Sequence, residues 1–375
     1  MVEFIEPIFN LFKVKFDKMD ELQVIDKDAD LVVFYINLEN VFTLLFQPRI
    51  DNQLRASGAD QQKLQLAFIS NIINLAQHYR LYSCCKGKDF DSRIILYWNY
   101  PRSNYKNRKY VTKYREHHDI KFFRNISCTY MVDALNDCHS LLRSTMKYVN
   151  EVYLLDGRKM ECSLIPLLLA RNHFSKEERQ IQHIVVSKSV YDYQYLNLFK
   201  ENFRVLVPAG EKSYILHETN VFDYLIKTTQ TSVNVPIGQL PTLISLMGDT
   251  YRGIPKMNGV GPVGAVKLIN KAIETLTIGC DTCSVELLRN VVDEPKREQF
   301  EKHYRATSLE LQYQELTPLE IAEVLSQIED KCQDETLGEL NETVFALFPL
   351  MIINSKTQQV RNSERFRYDI TSIFR

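Results

Sequence analysis

The stretch 259–265 has residue types and a spacing that could bind a phosphate group. Its sequence, Gly-Val-Gly-Pro-Val-Gly-Ala, places two glycines around one apolar residue and a proline at the start of an amphipathic helical pattern. Glycines permit a tight turn and the close approach of another backbone, and proline suits the first turn of a helix. The free amides at such a helix start can hold a phosphate oxygen. Lys267 and Lys271 lie four residues apart and would add positive charge on one face of the helix.

These residues form the first predicted nucleic-acid-binding set. Its members are Gly259, Val260, Gly261, Pro262, Val263, Gly264, Lys267 and Lys271. The turn could also hold a monovalent cation. The alternative is a glycine-rich connection between two helices that binds no ligand.

A second candidate is the basic and aromatic stretch 86–124, which contains eleven Lys or Arg residues and four Asp or Glu residues. The whole chain has a net charge of −1, so the net charge of +7 in this stretch is a local feature. Tyrosines alternate with the cations, and aromatic rings can stack on unpaired bases. The predicted contacts to single-stranded nucleic acid are Arg102, Lys106, Arg108, Lys109, Lys113 and Arg115. The alternative is a solvated, charged helix.

The periodicity of apolar residues predicts the elements that must position these two stretches. Continuous apolar runs rich in β-branched and aromatic residues predict five buried strands, at 31–36, 94–98, 152–155, 184–186 and 203–207. Helical patterns alternate with them, at 61–82, 131–149 and 164–172. This alternation predicts a parallel, right-handed α/β sheet that is covered on both faces. From about Asn220 onward the pattern is mostly helical, at 243–247, 263–272 and 319–328.

These patterns divide the 375 residues into four predicted parts. They are an N-terminal extension (1–30), an α/β domain (31–215), a helical lobe (216–340) and a C-terminal extension (341–375). The 20 Phe and 20 Tyr residues argue against extensive disorder. We expect neither a signal peptide nor an apolar run of membrane-spanning length. The eight cysteines are then expected to be free thiols in a reducing compartment, the cytoplasm or the nucleus.

The segment 248–265 resembles the helix–three-turn–helix of the flap endonuclease and bacteriophage 5′-nuclease family. In that family, Gly-Asp-x-x-Asp-x-Ile-Pro leads into Gly-Ile-Gly-Pro-x-x-Ala. The matching residues are Gly248, Asp249, Ile254, Pro255, Gly259, Val260, Gly261, Pro262 and Ala265. The resemblance implies a PIN-like parallel sheet flanked by helices and a mostly helical C-terminal lobe with a helix–hairpin–helix at 243–272. It also implies binding to branched or 5′-ended duplex DNA, with the basic stretch at the single-stranded 5′ side.

The same resemblance implies a set of metal-binding acids, and most of their positions carry other residues in this chain. The substituted positions are Asn37, Asn99, Ser163, Leu164, Ser189, Tyr191 and Arg252. Only Glu161 and Asp249 remain from the family's set, and Asp192 lies one residue beyond an aligned position. These three acids are the candidate ligands for a residual Mg²⁺ or Mn²⁺ ion. Glu39 and Asp156 are two further acids close to the expected places.

The loss of charge at these positions decides which activity the sequence predicts. A two-metal phosphodiesterase holds two divalent cations about 4 Å apart, and Mg²⁺ requires hard oxygen ligands with enough negative charge. The sequence therefore predicts a catalytically inactive, DNA-binding relative of the 5′-nucleases that requires no cofactor. It would act in DNA replication or repair, or with protein subunits of a replication, repair or transcription complex. Two alternatives stay open: an active Mg²⁺- or Mn²⁺-dependent 5′–3′ exonuclease or flap endonuclease with displaced ligands, and a structural subunit without DNA contact.

Overall fold

The computed structural model of the protein describes residues 5–45, 52, 56, 61–84, 91–98, 106–112, 114, 152–157, 160–199, 202–229, 235–249, 252–276 and 291–329. The predicted helix at 131–149 and the predicted C-terminal extension lie outside these residues. Four predicted site residues also lie outside them: Asn99, Arg102, Lys113 and Arg115.

A six-stranded sheet in the order β3-β2-β1-β4-β5-β6 forms the centre of the fold. Its strands are β1 (Leu31–Asn37), β2 (Asp91–Trp98), β3 (Val152–Asp156), β4 (Ile181–Val186), β5 (Phe203–Val207) and β6 (Tyr214–Leu216). The first five strands are parallel, as predicted, and β6 pairs antiparallel with β5. The sequence did not predict β6, because a strand of three residues is too short to show a periodic pattern.

Helices flank the sheet and form most of the described residues after β6. In chain order they are α1 (Glu6–Asn10), α2 (Phe16–Glu21), α3 (Leu38–Leu45), α4 (Gln61–Cys84), α5 (Ile165–Asn172), α6 (Tyr195–Leu198), α7 (Val221–Thr229), α8 (Leu240–Met247), α9 (Pro262–Leu276), α10 (Glu294–Thr307), α11 (Leu309–Gln314) and α12 (Pro318–Glu329). The fold class predicted from the sequence, a sheet flanked by helices with a mostly helical C-terminal part, is confirmed.

The central strand β1 determines where a site can form. It lies between β2 and β4, and all seven of its residues are buried. The chain proceeds from β1 to β2 and β3 on one side and then returns to β4 on the other side. In open α/β sheets, ligands bind outside the carboxyl ends of the strands at such a switch point. Here the carboxyl end of β1 is Asn37, and β4 leads directly into the turn that carries Asp192.

The hydrophobic core lies on both faces of the sheet, because alternate residues of β1 point to opposite sides. Val32, Phe34 and Ile36 belong to a cluster that also contains the buried residues of α4. Leu31, Val33 and Tyr35 belong to the cluster on the other face, which continues into the C-terminal helices.

Two of the predicted boundaries do not separate independent cores. Residues 5–30, predicted as an extension before the α/β domain, contribute Ile5, Phe9 and Phe12 to the same buried cluster as β1. Val324 of α12 belongs to the cluster of the sheet's opposite face, so the helical part shares its core with the α/β part. In the described part of the chain, the search for a helix long and apolar enough to cross a bilayer finds none.

Candidate functional site: a buried ion cluster and a glycine turn

Two of the three candidate metal ligands, Glu161 and Asp192, lie in the interior with Asn37 and Arg252, at the carboxyl end of the sheet. Asn37 ends β1, Glu161 precedes a short 3-10 turn after β3, and Asp192 lies in the 3-10 turn Val190–Gln194 after β4. Arg252 lies in the connection between α8 and α9. The exposed fractions of Asn37, Glu161 and Arg252 are each 2%, and Asp192 is fully buried, so the fold brings these groups together away from solvent.

The carboxylate of Asp192 is held mainly by neutral donors. Its Oδ2 atom accepts a hydrogen bond from Ser187 Oγ at 2.5 Å and another from Asn37 Nδ2 at 3.2 Å. Burial raises the pKa of the Asp192 carboxyl, and the nearby Arg252 guanidinium and the Ser187 hydrogen bond oppose this rise. Asn37 also accepts a hydrogen bond from the backbone N–H of Glu39 at 3.0 Å. Asn37 is therefore a structural link between β1 and the turn after β4.

Arg252 pairs with both of the acids that remain from the family's set. Its Nη1 atom lies 2.9 Å from Asp249 Oδ2, and its Nη2 atom lies 3.6 Å from Glu161 Oε1. The backbone N–H of Arg252 also donates to Asp249 Oδ1 at 3.1 Å. The second oxygen of Glu161 accepts a hydrogen bond from the buried Tyr114 hydroxyl. Both carboxylates are thus bound to groups of the same chain.

The guanidinium of Arg252 also lies against the ring of Tyr191, with 3.7 Å between Arg252 Cζ and the ring centroid. A cation over an aromatic face gains further stabilisation when the pair is desolvated. Burial raises the pKa of Tyr191 far above its usual range, so its hydroxyl is neutral. That hydroxyl accepts a hydrogen bond from Gln312 Nε2 at 2.6 Å, and Gln312 Oε1 accepts one from Asn107 Nδ2 at 2.9 Å. The ion cluster formed by Arg252, Glu161 and Asp249 is therefore connected to α11 and to the 106–114 segment.

The residues of this cluster do not fit a pair of hard divalent cations. Among the described residues, one group of three potential ligands was found, with donor atoms of Glu39, Glu161 and Cys162 within 4.8 Å of one another. A cysteine sulfur is a soft ligand that Mg²⁺ does not favour. Both oxygens of Glu161 already have partners, and one of these partners is the positive charge of Arg252.

The other substituted positions have structural surroundings. Ser163 and Leu164 are buried in the turn that leads into α5, where the backbone oxygen of Ser163 accepts a hydrogen bond from the Tyr195 hydroxyl. Ser189 precedes the turn of Asp192, and its N–H donates to Ser187 Oγ at 3.0 Å. The sequence does not single out Gln312, because its contacts to Asn107 and Tyr191 join segments far apart in the chain. Ser187 is not singled out either, because a serine after a strand shows no sign of its bond to Asp192.

The glycine turn joins α8 to α9 on the surface. Gly248 ends α8 with a φ of 75°, and a Cβ atom there would lie 2.5 Å from the backbone nitrogen of Lys256, so the position requires glycine. Gly259 has a φ of 78°, yet no atom lies within 4 Å of a Cβ built there. A Cβ atom built at Gly261 or at Gly264 would also have no atom within 4 Å. Pro262 begins α9, as the sequence predicts.

Most of the remaining side chains of this predicted set face solvent. Lys267 and Lys271 are exposed on α9, and Val263 is 57% exposed in its first turn. Val260 is half-buried against the core cluster. Lys296 at the start of α10 donates to the backbone oxygen of Asn258 at 3.3 Å. The open glycines and the lysines thus form one exposed, positively charged surface, which we call the glycine-turn surface (258–271).

The described part of the basic stretch is docked onto the C-terminal helices. Lys106 pairs with Glu320 of α12 at 2.5 Å, and Lys109 pairs with Glu315 at 2.9 Å. The Arg108 side chain donates from Nε to the backbone oxygen of Tyr114 at 3.3 Å. The sequence predicted Lys106, Arg108 and Lys109 as direct contacts to nucleic acid. In the structure Lys106 and Lys109 have acidic partners within the chain, and their contact with nucleic acid stays a prediction.

Comparisons with known proteins give similar architectures but no family. Scans of known protein families and of curated proteins find no significant match. Among solved structures, bacteriophage T5 5′-exonuclease with bound zinc is 12% identical, with a TM-score of 0.46, covering 79% of this chain and 93% of that chain. A variant of the bacteriophage T5 flap endonuclease, in a pseudo-enzyme–product complex with DNA and metal ions, is 12% identical, with a TM-score of 0.47, covering 84% and 98%. Such values carry no information about the activity of this chain.

Proposed function

We propose that this protein binds DNA through its glycine-turn surface and does not hydrolyse it. The observation that carries the proposal is the buried guanidinium of Arg252, which is paired with Glu161 and Asp249. These are the two acids at which the sequence resemblance implies metal ions. A role in DNA replication or repair, or as a subunit of a nucleic-acid assembly, is consistent with such a protein.

Electrostatics supports the absence of catalysis. A guanidinium about 4 Å from a divalent cation would repel it by roughly 8 kcal/mol at an effective dielectric constant of 20. The carboxylates that would have to offset this repulsion already bind Arg252 and Tyr114. Neutral Asn37 and Ser187 hold Asp192, the displaced acid. Glu161 and Asp249 are therefore not available to a metal ion without breaking contacts within the chain. Among the described residues, Asp192 keeps one oxygen, Oδ1, without a hydrogen-bond partner, but this side chain is fully buried.

The open glycines support DNA binding at the glycine-turn surface. Gly264 lies in the first turn of α9, where glycine costs about 1 kcal/mol of helix stability relative to alanine. No neighbouring atom requires glycine at this position, because a Cβ there would meet open space. A surface without side chains permits close approach of a phosphate backbone. The exposed Lys267 and Lys271 on the same helix could contact further phosphates.

A paired binding and cleavage assay on 5′-flap DNA tests the proposal. We expect the wild type to bind the labelled flap in EDTA and to leave it intact in Mg²⁺ or Mn²⁺. Lys267→Gln with Lys271→Gln should weaken binding roughly tenfold at low salt. It should also make the decrease of affinity with salt concentration less steep, by the amount that about two phosphate contacts contribute. The charge-matched control is Lys176→Gln with Lys212→Gln, because both lysines are exposed and lie outside the glycine-turn surface.

The other outcomes identify the alternatives. Cleavage in Mn²⁺ that is lost in Asp249→Ala and Asp192→Ala would contradict the proposal and support an active nuclease with displaced ligands. Absence of binding at low salt would support a structural subunit without DNA contact. Equal weakening by the two lysine pairs would show that only net charge matters and that the glycine-turn surface is not the site.

A further inference from the structure

Two cations of the 106–114 segment, Lys106 and Lys109, pair with acids at the junction of α11 and α12. Glu315 follows α11 and binds Lys109 at 2.9 Å, the Tyr110 hydroxyl, and Arg305 of α10 at 3.3 Å. Glu320 in the first turn of α12 binds Lys106 at 2.5 Å. Two carboxylates thus hold three cations and a tyrosine in one cluster, which we call the acidic clasp (Glu315 and Glu320).

The clasp contacts differ in burial from the contacts that anchor the segment. Lys106 and Lys109 side chains are 34% and 51% exposed, so solvent and other anions can reach both pairs. The anchors of the same segment are buried: Asn107 donates to Gln312, and Tyr114 donates to Glu161. The segment can therefore lose its clasp contacts while its two anchors keep it in position.

Exposed ion pairs are weak and are screened by salt, whereas a phosphate group offers lysine and arginine strong charge-assisted acceptors. The ring of Tyr110 lies close to two cations, with Lys109 Nζ 4.5 Å and Arg305 Cζ 5.9 Å from its centroid. Cations around an aromatic ring are the groups that hold single-stranded nucleic acid, through phosphate contacts and base stacking.

We propose that the acidic clasp masks a binding site for single-stranded DNA formed by Lys106, Lys109, Tyr110 and Arg305. The carboxylates of Glu315 and Glu320 occupy the positions of phosphate groups, and a DNA strand displaces them. This proposal rests on the proposed DNA binding of the protein and adds a second, autoinhibited site to the glycine-turn surface.

The test is the double variant Glu315→Gln with Glu320→Gln. We expect it to bind a labelled oligothymidylate roughly fivefold more tightly than the wild type at low salt, as measured by fluorescence anisotropy. Glutamine keeps the size of both side chains. It also keeps an acceptor for the N–H of Thr317, which donates to Glu320 at 2.9 Å at the start of α12. Unchanged thermal unfolding would confirm that the variant is folded.

Two controls separate the clasp from net charge. Glu178→Gln with Glu298→Gln changes the net charge equally at exposed acids away from the 106–114 segment, and it should leave affinity for oligothymidylate near the wild-type value. Adding Lys106→Gln and Lys109→Gln to the clasp variant should abolish the gain. Amide hydrogen exchange in 106–112 should be faster in the clasp variant, without any DNA present.

The outcomes distinguish this proposal from the proposed function. If the clasp variant gains no more affinity than its control while the wild type still binds a flap duplex, the masked site is wrong and the glycine-turn proposal stands. If the wild type and the clasp variant bind neither probe, both proposals are overturned. A gain that survives the two lysine substitutions would also contradict the masked site.

Discussion

Arg252 shows how a single residue changes the chemistry of a site. Its side chain is 3% exposed and lies between the carboxylates of Glu161 and Asp249 and against the ring of Tyr191. A buried charge is tolerated only when paired groups offset its loss of hydration. Here the offsetting groups are the carboxylates of Glu161 and Asp249, two of the three acids that the sequence offers as candidate metal ligands. The arginine therefore stabilises a buried ion cluster with these two acids.

Replacement of Arg252 tests this role. We expect Arg252→Gln to lower the free energy of unfolding by about 3 kcal/mol, because it leaves buried acids without their positive partner. The added substitution Glu161→Gln should recover part of the loss, since it removes one of the unpaired charges. Urea titration measures both changes. Arg305→Gln, at a half-exposed pair, should cost less than about 1 kcal/mol. Equal losses for Arg252→Gln and Arg305→Gln would contradict a structural role for the cluster.

Among the elements, helix α12 protects the edge of the sheet. Gln327 accepts a hydrogen bond from the Asp156 N–H at 2.9 Å and donates one to the Asp156 carbonyl at 3.1 Å. Its side-chain amide thus pairs with the edge strand β3 as the backbone of a neighbouring strand would. Unpaired edge strands promote association between chains. The contact also fixes α12, and with it Glu320 of the acidic clasp.

Removal of this amide should loosen the strand edge. We expect Gln327→Leu to lower the free energy of unfolding by about 1–2 kcal/mol, because two partly buried backbone groups of Asp156 lose their partner. Amide exchange at Asp156 should become faster. Gln314→Leu is the control, because Gln314 is exposed and bonds only to Glu310 on its own helix among the contacts described. Unchanged exchange at Asp156 in Gln327→Leu would show that the helix does not protect the edge.

For the whole molecule, two histidines in the core link stability to pH. His183 stacks on Phe203 with 4.6 Å between ring centroids and shares a hydrogen bond with Tyr35 at 2.9 Å, and burial lowers its pKa to about 3. His78 bonds to the Val14 carbonyl at 2.7 Å, and burial lowers its pKa to about 4. Both rings are therefore neutral in the folded protein at about pH 6.5. This pH is close to the usual pKa of a histidine in an unfolded chain.

The sign of the pH effect follows from these shifts. The unfolded chain takes up protons at both histidines before the folded protein does, so stability is constant above about pH 6.5 and falls as the pH decreases toward about 4. We expect a loss of about 2 kcal/mol between about pH 6.5 and about pH 5.5, measured by urea titration. His78→Gln with His183→Gln should flatten this slope. Asp192 acts in the opposite direction. Burial raises its pKa, so the folded protein binds this proton more tightly than the unfolded chain does, and its contribution to stability increases as the pH decreases. An unchanged slope in the double variant would show that other groups control the pH dependence.

Local patterns in the sequence were sufficient for much of the fold. The five parallel strands and the helices α4, α5, α9 and α12 follow from apolar runs and periodicity, and each is close to its predicted bounds. The start of α9 at Pro262 and the exposure of Lys267 and Lys271 also follow from local rules, because proline restricts the backbone and lysines favour water. The sequence alone also shows that positions 37, 163 and 252 carry Asn, Ser and Arg rather than acids.

Only the tertiary structure decided what the remaining charges do. The family resemblance predicted a positive charge at Arg252 beside the expected acids, but the burial that makes it their partner comes from packing among Tyr114, Glu161, Tyr191 and Asp249. The sequence also predicts Lys106 and Lys109 as contacts to nucleic acid. It does not show that folding brings Glu320 and Glu315 against them, from positions 214 and 206 residues away in the chain. Charge pairing depends on distance in space, which the order of residues along a chain does not specify.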